Sequence, residues 1–321
     1  MVVTCLARTA ILVTVPDDAF LADWCDRYLG ARPACVLFRS GHLSEVVAAQ
    51  LADGRQVVIK ARPSDPRIVG CTAVQEHLAR AGFPCPRPLR APVEAGGLTV
   101  TAETLVAAGS QLPAEGGAAP FAALLSRLIG SAPGPGAVPS LAPSPPWTGW
   151  DHPGPRLWPH RDDRGRDLTD CPGPVWLDDA AHRVRERLSA STAPARVGHG
   201  DWESQNIRWS DGQPLAVHDW DSVISQPETA IVGLAAAVWP AAGAPGEAAT
   251  VAQSADFIAS YQREAGRQRT GQEVQDAWAA GLWVRLFNAK KDAADGGGPQ
   301  LDRLASEISD RLTLAALGSP S

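Results

Sequence analysis

His199, Gly200 and Asp201 stand just ahead of Asn206, which follows the aspartate by five residues, and a second carboxylate, Asp219, sits in the run VHDWDS. Three oxygen-bearing side chains on two neighbouring turns suit one coordinated task. Phosphoryl transfer needs a carboxylate that orients an acceptor hydroxyl and takes its proton, and hard oxygen ligands that hold magnesium on the phosphates. Asp201 suits the first role, and Asn206 with Asp219 the second. The H-x-D-x-x-x-x-N spacing lets one short loop present a base at one end and a metal ligand at the other. Lys60 ends the apolar run QVVIK, the place from which a strand-borne amine reaches the phosphates of ATP. Either aspartate alone reads as a turn cap; the set reads as a site.

Composition sharpens this choice. Only three of the 29 basic residues are lysines (Lys60, Lys290, Lys291), and the chain has only two asparagines, Asn206 and Asn288. A chain that defaults to arginine nevertheless places a lysine at the end of that run and an asparagine at the required offset from Asp201.

The elements that must carry these residues follow from hydrophobic period and turn chemistry. An apolar run at 10–15 reads as a strand and is too short to span a bilayer. A helix is expected over 17–29, then three strands in a meander at 35–41, 44–52 and 55–63, with Asp53-Gly54 as a turn. Apolar residues at helical spacing over 66–81 end at Gly82 before PCPRP. A strand pair at 87–93 and 98–106 completes this part, and a helix is expected at 121–129. Residues 131–174 are crowded with proline and glycine and too long for an ordinary connection, so they form a functional excursion or a mobile lid. A helix at 177–189, two short strands around the HGD and VHDWDS motifs, and helices at 250–264, 272–293 and 301–317 complete the chain.

The stretch HGDWESQNIRW together with VHDWDS resembles the catalytic and metal motifs of the aminoglycoside phosphotransferase family. That resemblance implies an α+β, bilobal, protein-kinase-like fold, with a small β-rich nucleotide-binding lobe over 1–106 and a larger, mostly helical lobe over 107–321. It implies Asp201 as the catalytic base, Asn206 and Asp219 as magnesium ligands, Lys60 as the phosphate-binding lysine, and ATP and Mg2+ as cofactors. Glu103 to Leu105 would be the hinge whose backbone meets adenine, GFPCPRPL resembles the family's G-x-P-x-P connection, and Glu228 resembles an acidic anchor for the large-lobe helices. His199 would be a structural member of the loop.

The pattern also departs from a full kinase. The phosphate-covering loop, RSGHLSEV, holds Gly41 alone, so backbone amides near Ser40, Gly41 and Ser44 either touch phosphates or simply turn the chain. Glu76 is the only acidic residue between Asp65 and Glu94, while Cys71 or Thr72 occupies the family's usual glutamate position. The family's ion pair, Lys60 with Glu76 here, is therefore expected to be rearranged or absent. Asp221 either adjoins the metal site or is a surface-turn residue, with the surface turn favoured. Trp147, Trp150, Trp158 and Trp176 either stack on a ligand or pin the excursion by apolar burial, with burial favoured. The acidic group Asp162, Asp163, Asp167 and Asp170 faces a cationic acceptor or solvent. The stripe Trp278, Leu282, Trp283, Leu286 and Phe287 reads as core, with Lys290 and Lys291 answering the helix dipole.

A net charge of −6 gives no electrostatic reason to expect nucleic acid, and no segment has the length of a membrane span. Six scattered cysteines without C-x-x-C pairs disfavour a zinc or disulfide framework and fit a reducing cytoplasm. The expected partners are ATP and a small-molecule acceptor. Three readings compete: a kinase of an aminoglycoside-like antibiotic or natural product, a kinase of a small hydroxyl metabolite of choline, homoserine or sugar type, and a nucleotide-binding pseudokinase scaffold.

Overall fold

The computed structural model describes residues 17–41, 44–112, 116–160, 162, 165–244 and 246–318; the strand expected at 10–15 lies outside them. The backbone divides into two compact units. The first holds the described residues up to Asp65 with Pro88–Leu105 and residues 165 and 166; the second holds the remainder, including Pro66–Arg87. A single cut at residue 106 would have given that helix-bearing stretch to the first unit.

The first unit opens with α1 (Asp18–Leu29), capped by the Asp17 carboxylate on the Phe20 amide at 2.7 Å and ended by Gly30 in the left-handed region. Five antiparallel strands follow: β1 (Pro33–Gly41), β2 (Glu45–Leu51), β3 (Gln56–Pro63), β4 (Val93–Ala95) and β5 (Leu98–Thr104), in sheet order β1-β2-β3-β5-β4. Strand alternation sorts the side chains. Val47, Ala49, Val57, Ile59, Ala61, Val100 and Ala102 share one buried cluster with Leu21, Trp24 and Cys25 of α1. Lys60 and Glu103, at the alternate positions, belong to the other face. The strand expected over 87–93 is real only at its end, because the prolines at 86, 88 and 92 withhold amide donors.

The second unit comprises α2 (Arg67–Arg80), α3 (Ala119–Ser131), α4 (Val175–Ser189), β6 (Ala195–His199), β7 (Ile207–Ser210), β8 (Gln213–Val217), β9 (Val223–Pro227), α5 (Glu228–Val238), α6 (Val251–Glu264), α7 (Gly271–Ala294) and α8 (Pro299–Leu314). Where two strands were expected around the motifs there are four, paired as two ribbons, β6 with β9 and β7 with β8. Every residue of α5 from Thr229 to Val238 is buried. It meets α7 at Gly233, where an added Cβ would fall 1.9 Å from the Ala277 carbonyl oxygen, so only glycine lets these backbones approach. Trp278, Leu282, Trp283, Leu286 and Phe287 are all core. Lys290 answers more than a helix dipole: it is itself buried and ion-paired with Asp178 at 2.9 Å. Glu228 accepts hydrogen bonds from Tyr261 (2.9 Å) and Arg269, anchoring α5 to α6 and the turn before α7.

Between α3 and α4 the described residues of the excursion form three one-turn helices, Pro135–Ala137, Pro146–Thr148 and Leu168–Asp170. It is pinned along its length. Trp158 packs on Trp283 and Phe287 and donates to Asp178 at 2.9 Å. The Arg185 guanidinium gathers the carbonyls of Trp150 and His152, each at 2.9 Å. Trp150 is buried, and Trp147 and Trp176 pack on the same core from its edge. Asp167 and Asp170 pair with Arg156, and Asp162 is buried; Asp163 lies outside the described residues. Among the described residues, no disulfide joins Cys25, Cys35, Cys71, Cys85 or Cys171, and no helix is long and apolar enough to cross a membrane.

Candidate active site

Two loops leave the β6–β9 ribbon from facing positions, since His199 is registered opposite Val223. One runs through Gly200 and Asp201 into a single turn, Ser204–Asn206, before β7; the other joins β8 to β9 through His218, Asp219 and the turn Trp220–Ser222. Backbone bonds tie them together. The Gly200 amide donates to the Ser222 carbonyl at 2.7 Å, and the His218 amide donates to the Asn206 carbonyl at 2.8 Å.

His199 is the pin of this arrangement. Fully buried, it donates from Nε2 to the His218 carbonyl (3.1 Å) and accepts at Nδ1 from the Asp201 amide (3.2 Å). That pair of bonds defines the neutral Nε2–H tautomer. Burial pushes its pKa down to about 4. Trp202 and Trp220 approach the imidazole edge-on at 5.7 and 5.9 Å, and each indole is fixed in turn, to the carbonyls of Phe121 (3.1 Å) and Val217 (2.8 Å). Both tryptophans directly follow a candidate carboxylate, a signal that sequence reasoning passed over.

Asp201 accepts from Asn206 Nδ2 at 2.8 Å, and the same amide nitrogen donates to the Asp201 carbonyl at 3.1 Å. This fixes Asn206 with its nitrogen toward Asp201 and its oxygen as the end that suits a cation. Asp219 adopts φ 65 and ψ 48, a left-handed conformation that aspartate tolerates better than bulkier residues, and accepts from Ser222 Oγ at 3.0 Å. Burial holds the Asp201 pKa well above the ordinary carboxylate range, reinforced by the charges of Glu203, Asp219 and Asp221 and opposed by the Asn206 hydrogen bond. Asp221 is no surface-turn residue: one of its carboxylate oxygens is buried, and its charge acts on both Asp201 and His199.

An accumulation of carboxylates with an amide oxygen beside them fits a hard divalent cation. Among the described residues, no three His, Cys, Asp or Glu side chains converge as a metal cage of their own. The Asp219 carboxylate and the Asn206 amide oxygen suit a magnesium ion that would take its remaining ligands from phosphates and water.

In the first unit, Lys60 Nζ lies 3.3 Å from Glu103 Oε1, both side chains largely buried. Register explains the partnership: Lys60 is opposite Thr101, so Glu103 is the next residue on the same face of β5. Glu76, weighed as the partner of Lys60, is exposed on α2 and pairs with Arg80 one turn away. The Leu105 amide, weighed as a hinge donor, is bonded to the Gln56 carbonyl at 3.1 Å. Ser40 and Gly41 end β1, where Gly41 faces Glu45, and Ser44 precedes β2. A Cβ on Gly41 would sit 2.7 Å from the Ser44 carbonyl oxygen, so glycine is needed for this tight hairpin tip.

Arg67, in the first turn of α2, was not anticipated at all. Its guanidinium is buried and donates to the carbonyls of Asp221 and Val223 (2.6 Å to the latter), tying α2 to the loop that carries Asp219.

The model of the phosphotransferase enzyme family (APH) matches residues 34–268. No curated protein matches the chain. Among solved structures, the amicoumacin kinase hAmiN in complex with AMP-PNP, Ca2+ and Ami superposes with a TM-score of 0.59 at 11% identity, covering 90% of each chain. A thermostable mutant of aminoglycoside phosphotransferase APH(4)-Ia, in a ternary complex with AMP-PNP and hygromycin B, gives 0.59 at 15% identity over 92% of this chain and 98% of that one. A choline/ethanolamine kinase family protein from Mesorhizobium loti gives 0.56 at 17% identity over 93% and 100%. At such identities the likeness is one of fold, the α+β protein-kinase-like fold.

Proposed function

We propose that this chain, which belongs to the phosphotransferase enzyme family, moves the γ-phosphate of ATP to a hydroxyl of an aminoglycoside-like antibiotic or natural product. The observation that carries this reading is the Asp201–Asn206–Asp219 set, held by two cross-bonded loops. Asp201 orients the acceptor hydroxyl for in-line attack and takes its proton. Burial, reinforced by the surrounding negative charge, raises its appetite for that proton. Asn206 and Asp219 would hold magnesium, which would offset the charge of the phosphates. Lys60, oriented by Glu103, is the cation assigned to the triphosphate.

Glu203 supports an acceptor that carries amines. Two residues beyond Asp201, its carboxyl is pushed up to about 7 by burial and is steadied by Gln205. A second acidic group beside the base favours an ammonium-bearing acceptor. A small cationic metabolite such as choline satisfies the same chemistry and forms the second reading, whereas a scaffold without turnover finds no support in the family assignment. Action in the cytoplasm, where ATP is supplied, and a role in antibiotic resistance belong to the first reading.

The test is ADP release with Mg2+ and ATP across a panel of aminoglycosides, choline, homoserine and simple sugars, with 31P NMR of the product. Turnover of an aminoglycoside supports the first reading. Turnover confined to choline, homoserine or a sugar replaces it with the second.

A further inference from the structure

The excursion between α3 and α4 holds none of the phosphoryl-transfer residues, yet it touches the peptide that carries the base. Trp147, in the turn Pro146–Thr148, donates from Nε1 to the Gly200 carbonyl at 3.0 Å. That carbonyl and the Asp201 amide are the two ends of one peptide group. Its N–H end is held by His199 Nδ1 at 3.2 Å, so the peptide plane is gripped on both sides. A peptide plane so fixed sets the direction in which the Asp201 side chain leaves the backbone.

The packing beside this bond shows that the approach is built in. Thr148 is fully buried, and a Cβ on Gly200 would meet Thr148 Cγ2 at 3.1 Å, Ile224 Cγ2 at 3.0 Å and the Ser222 carbonyl oxygen at 3.2 Å. Glycine in the H-G-D motif is thus what lets the excursion lie against the loop. The excursion is itself fixed at this point: Gln226 of β9 donates to Asp151 at 2.7 Å and to Ser144 at 3.2 Å, on either side of Trp147. Arg185 and Trp158 hold the chain that follows.

We propose that Trp147 is a positioning residue for Asp201, and that the excursion is the brace from which it acts. This rests on the reading of Asp201 as the base. The brace fixes the base from outside its own loop, through a hydrogen bond that no spacing within the HGD motif encodes.

Trp147→Phe keeps an aromatic ring and removes only the donor, and Trp158→Phe removes a donor from the same excursion without touching the loop. Both are compared with the parent chain in two ways. Hydrogen exchange of a peptide covering 198–206 needs no acceptor. ADP release with Mg2+ and ATP gives kcat and the nucleotide KM, using the best acceptor of the panel above. For Trp147→Phe the expectation is faster exchange across 198–206, a kcat lower by about tenfold, an unchanged nucleotide KM and a melting temperature near that of the parent. Trp158→Phe should leave both exchange there and kcat as in the parent. Unchanged exchange in Trp147→Phe overturns the brace, and so does an equal loss of kcat in both variants, which would mark general loosening. If the parent chain transfers no phosphate to any acceptor, the phosphotransfer reading fails on its own, while the exchange comparison still decides whether Trp147 holds the loop.

Discussion

The Lys60–Glu103 pair and the Asp201–Asn206–Asp219 set are positioned by opposite means. In the sheet, a side chain's place follows from its strand: Lys60 and Glu103 meet because β3 and β5 run antiparallel in one register and both residues fall on the same face. In the second unit the functional residues lie on loops, and their places are fixed by side chains from far along the sequence. Arg67 ties the Asp219 loop, Trp147 the Asp201 peptide, and Trp202 and Trp220 enclose the histidine between them. A register is a local rule applied twice. A loop held by remote donors has no such rule, and each donor is a separate point at which the arrangement can fail.

The comparison is broken most severely if the loop residues prove dispensable. Asp201→Asn keeps the shape and the Asn206 contact but loses the proton acceptor, and kcat should fall by about 10³-fold with nucleotide binding retained. ADP release and nucleotide titration of the same sample measure both quantities; turnover near the parent value would remove Asp201 from its role.

Next in size is the remote tie. Arg67→Met leaves two carbonyls without their buried, charge-assisted donor and should cost about 3 kcal/mol in urea unfolding of the second unit. A loss below about 0.5 kcal/mol would mean that α2 contributes nothing to the Asp219 loop.

The third prediction concerns the pin. The folded-state pKa of His199, about 4, lies below its ordinary 6.5, so the folded chain binds that proton less readily than the unfolded one. Its contribution is complete above pH 6.5 and is lost as pH falls toward 4. Between pH 7 and 5 this amounts to about 2 kcal/mol. Glu203 and Asp201 act in the opposite sense, since their folded-state pKa values are raised and acidification relieves them. The loss is therefore to be sought in the double variant Asp201→Asn, Glu203→Gln, as a fall in the urea midpoint from pH 7 to 5. A flat profile there would show that His199 is charged or exposed in the folded chain.

What could be read from the sequence follows the same division. The meander that carries Lys60 was legible because alternation and the Asp53-Gly54 turn specify a hairpin locally, and the lysine falls within its third strand. The spacing of Asp201, Asn206 and Asp219 was legible because two short loops carry all three residues. The family match over 34–268 agrees with the resemblance that those motifs suggested. Arg67 was illegible: its partners are carbonyls more than 150 residues away, and any residue type supplies a carbonyl. Trp147 was visible only as one aromatic among several in a proline-rich stretch. The partner of Lys60 was missed for a different reason. Kinases carry the partner glutamate on the helix after the third strand, whereas here the sheet register places Glu103 on the face that Lys60 occupies.

The smallest effect tests that last point and the register side of the comparison. Glu103→Gln removes the carboxylate beside Lys60 without disturbing the β3–β5 ladder, whose bonds run through backbone atoms. The amine loses its orienting charge but keeps its strand, so kcat/KM for the nucleotide should drop by about tenfold, the scale of one buried charged contact. Glu76→Gln removes only an exposed pair with Arg80 within a single helix and should leave kcat/KM unchanged. If the two variants exchanged their outcomes, the helix would hold the lysine after all. The first unit would then be organised like the second, by a contact arriving from another element, with strand register playing no part.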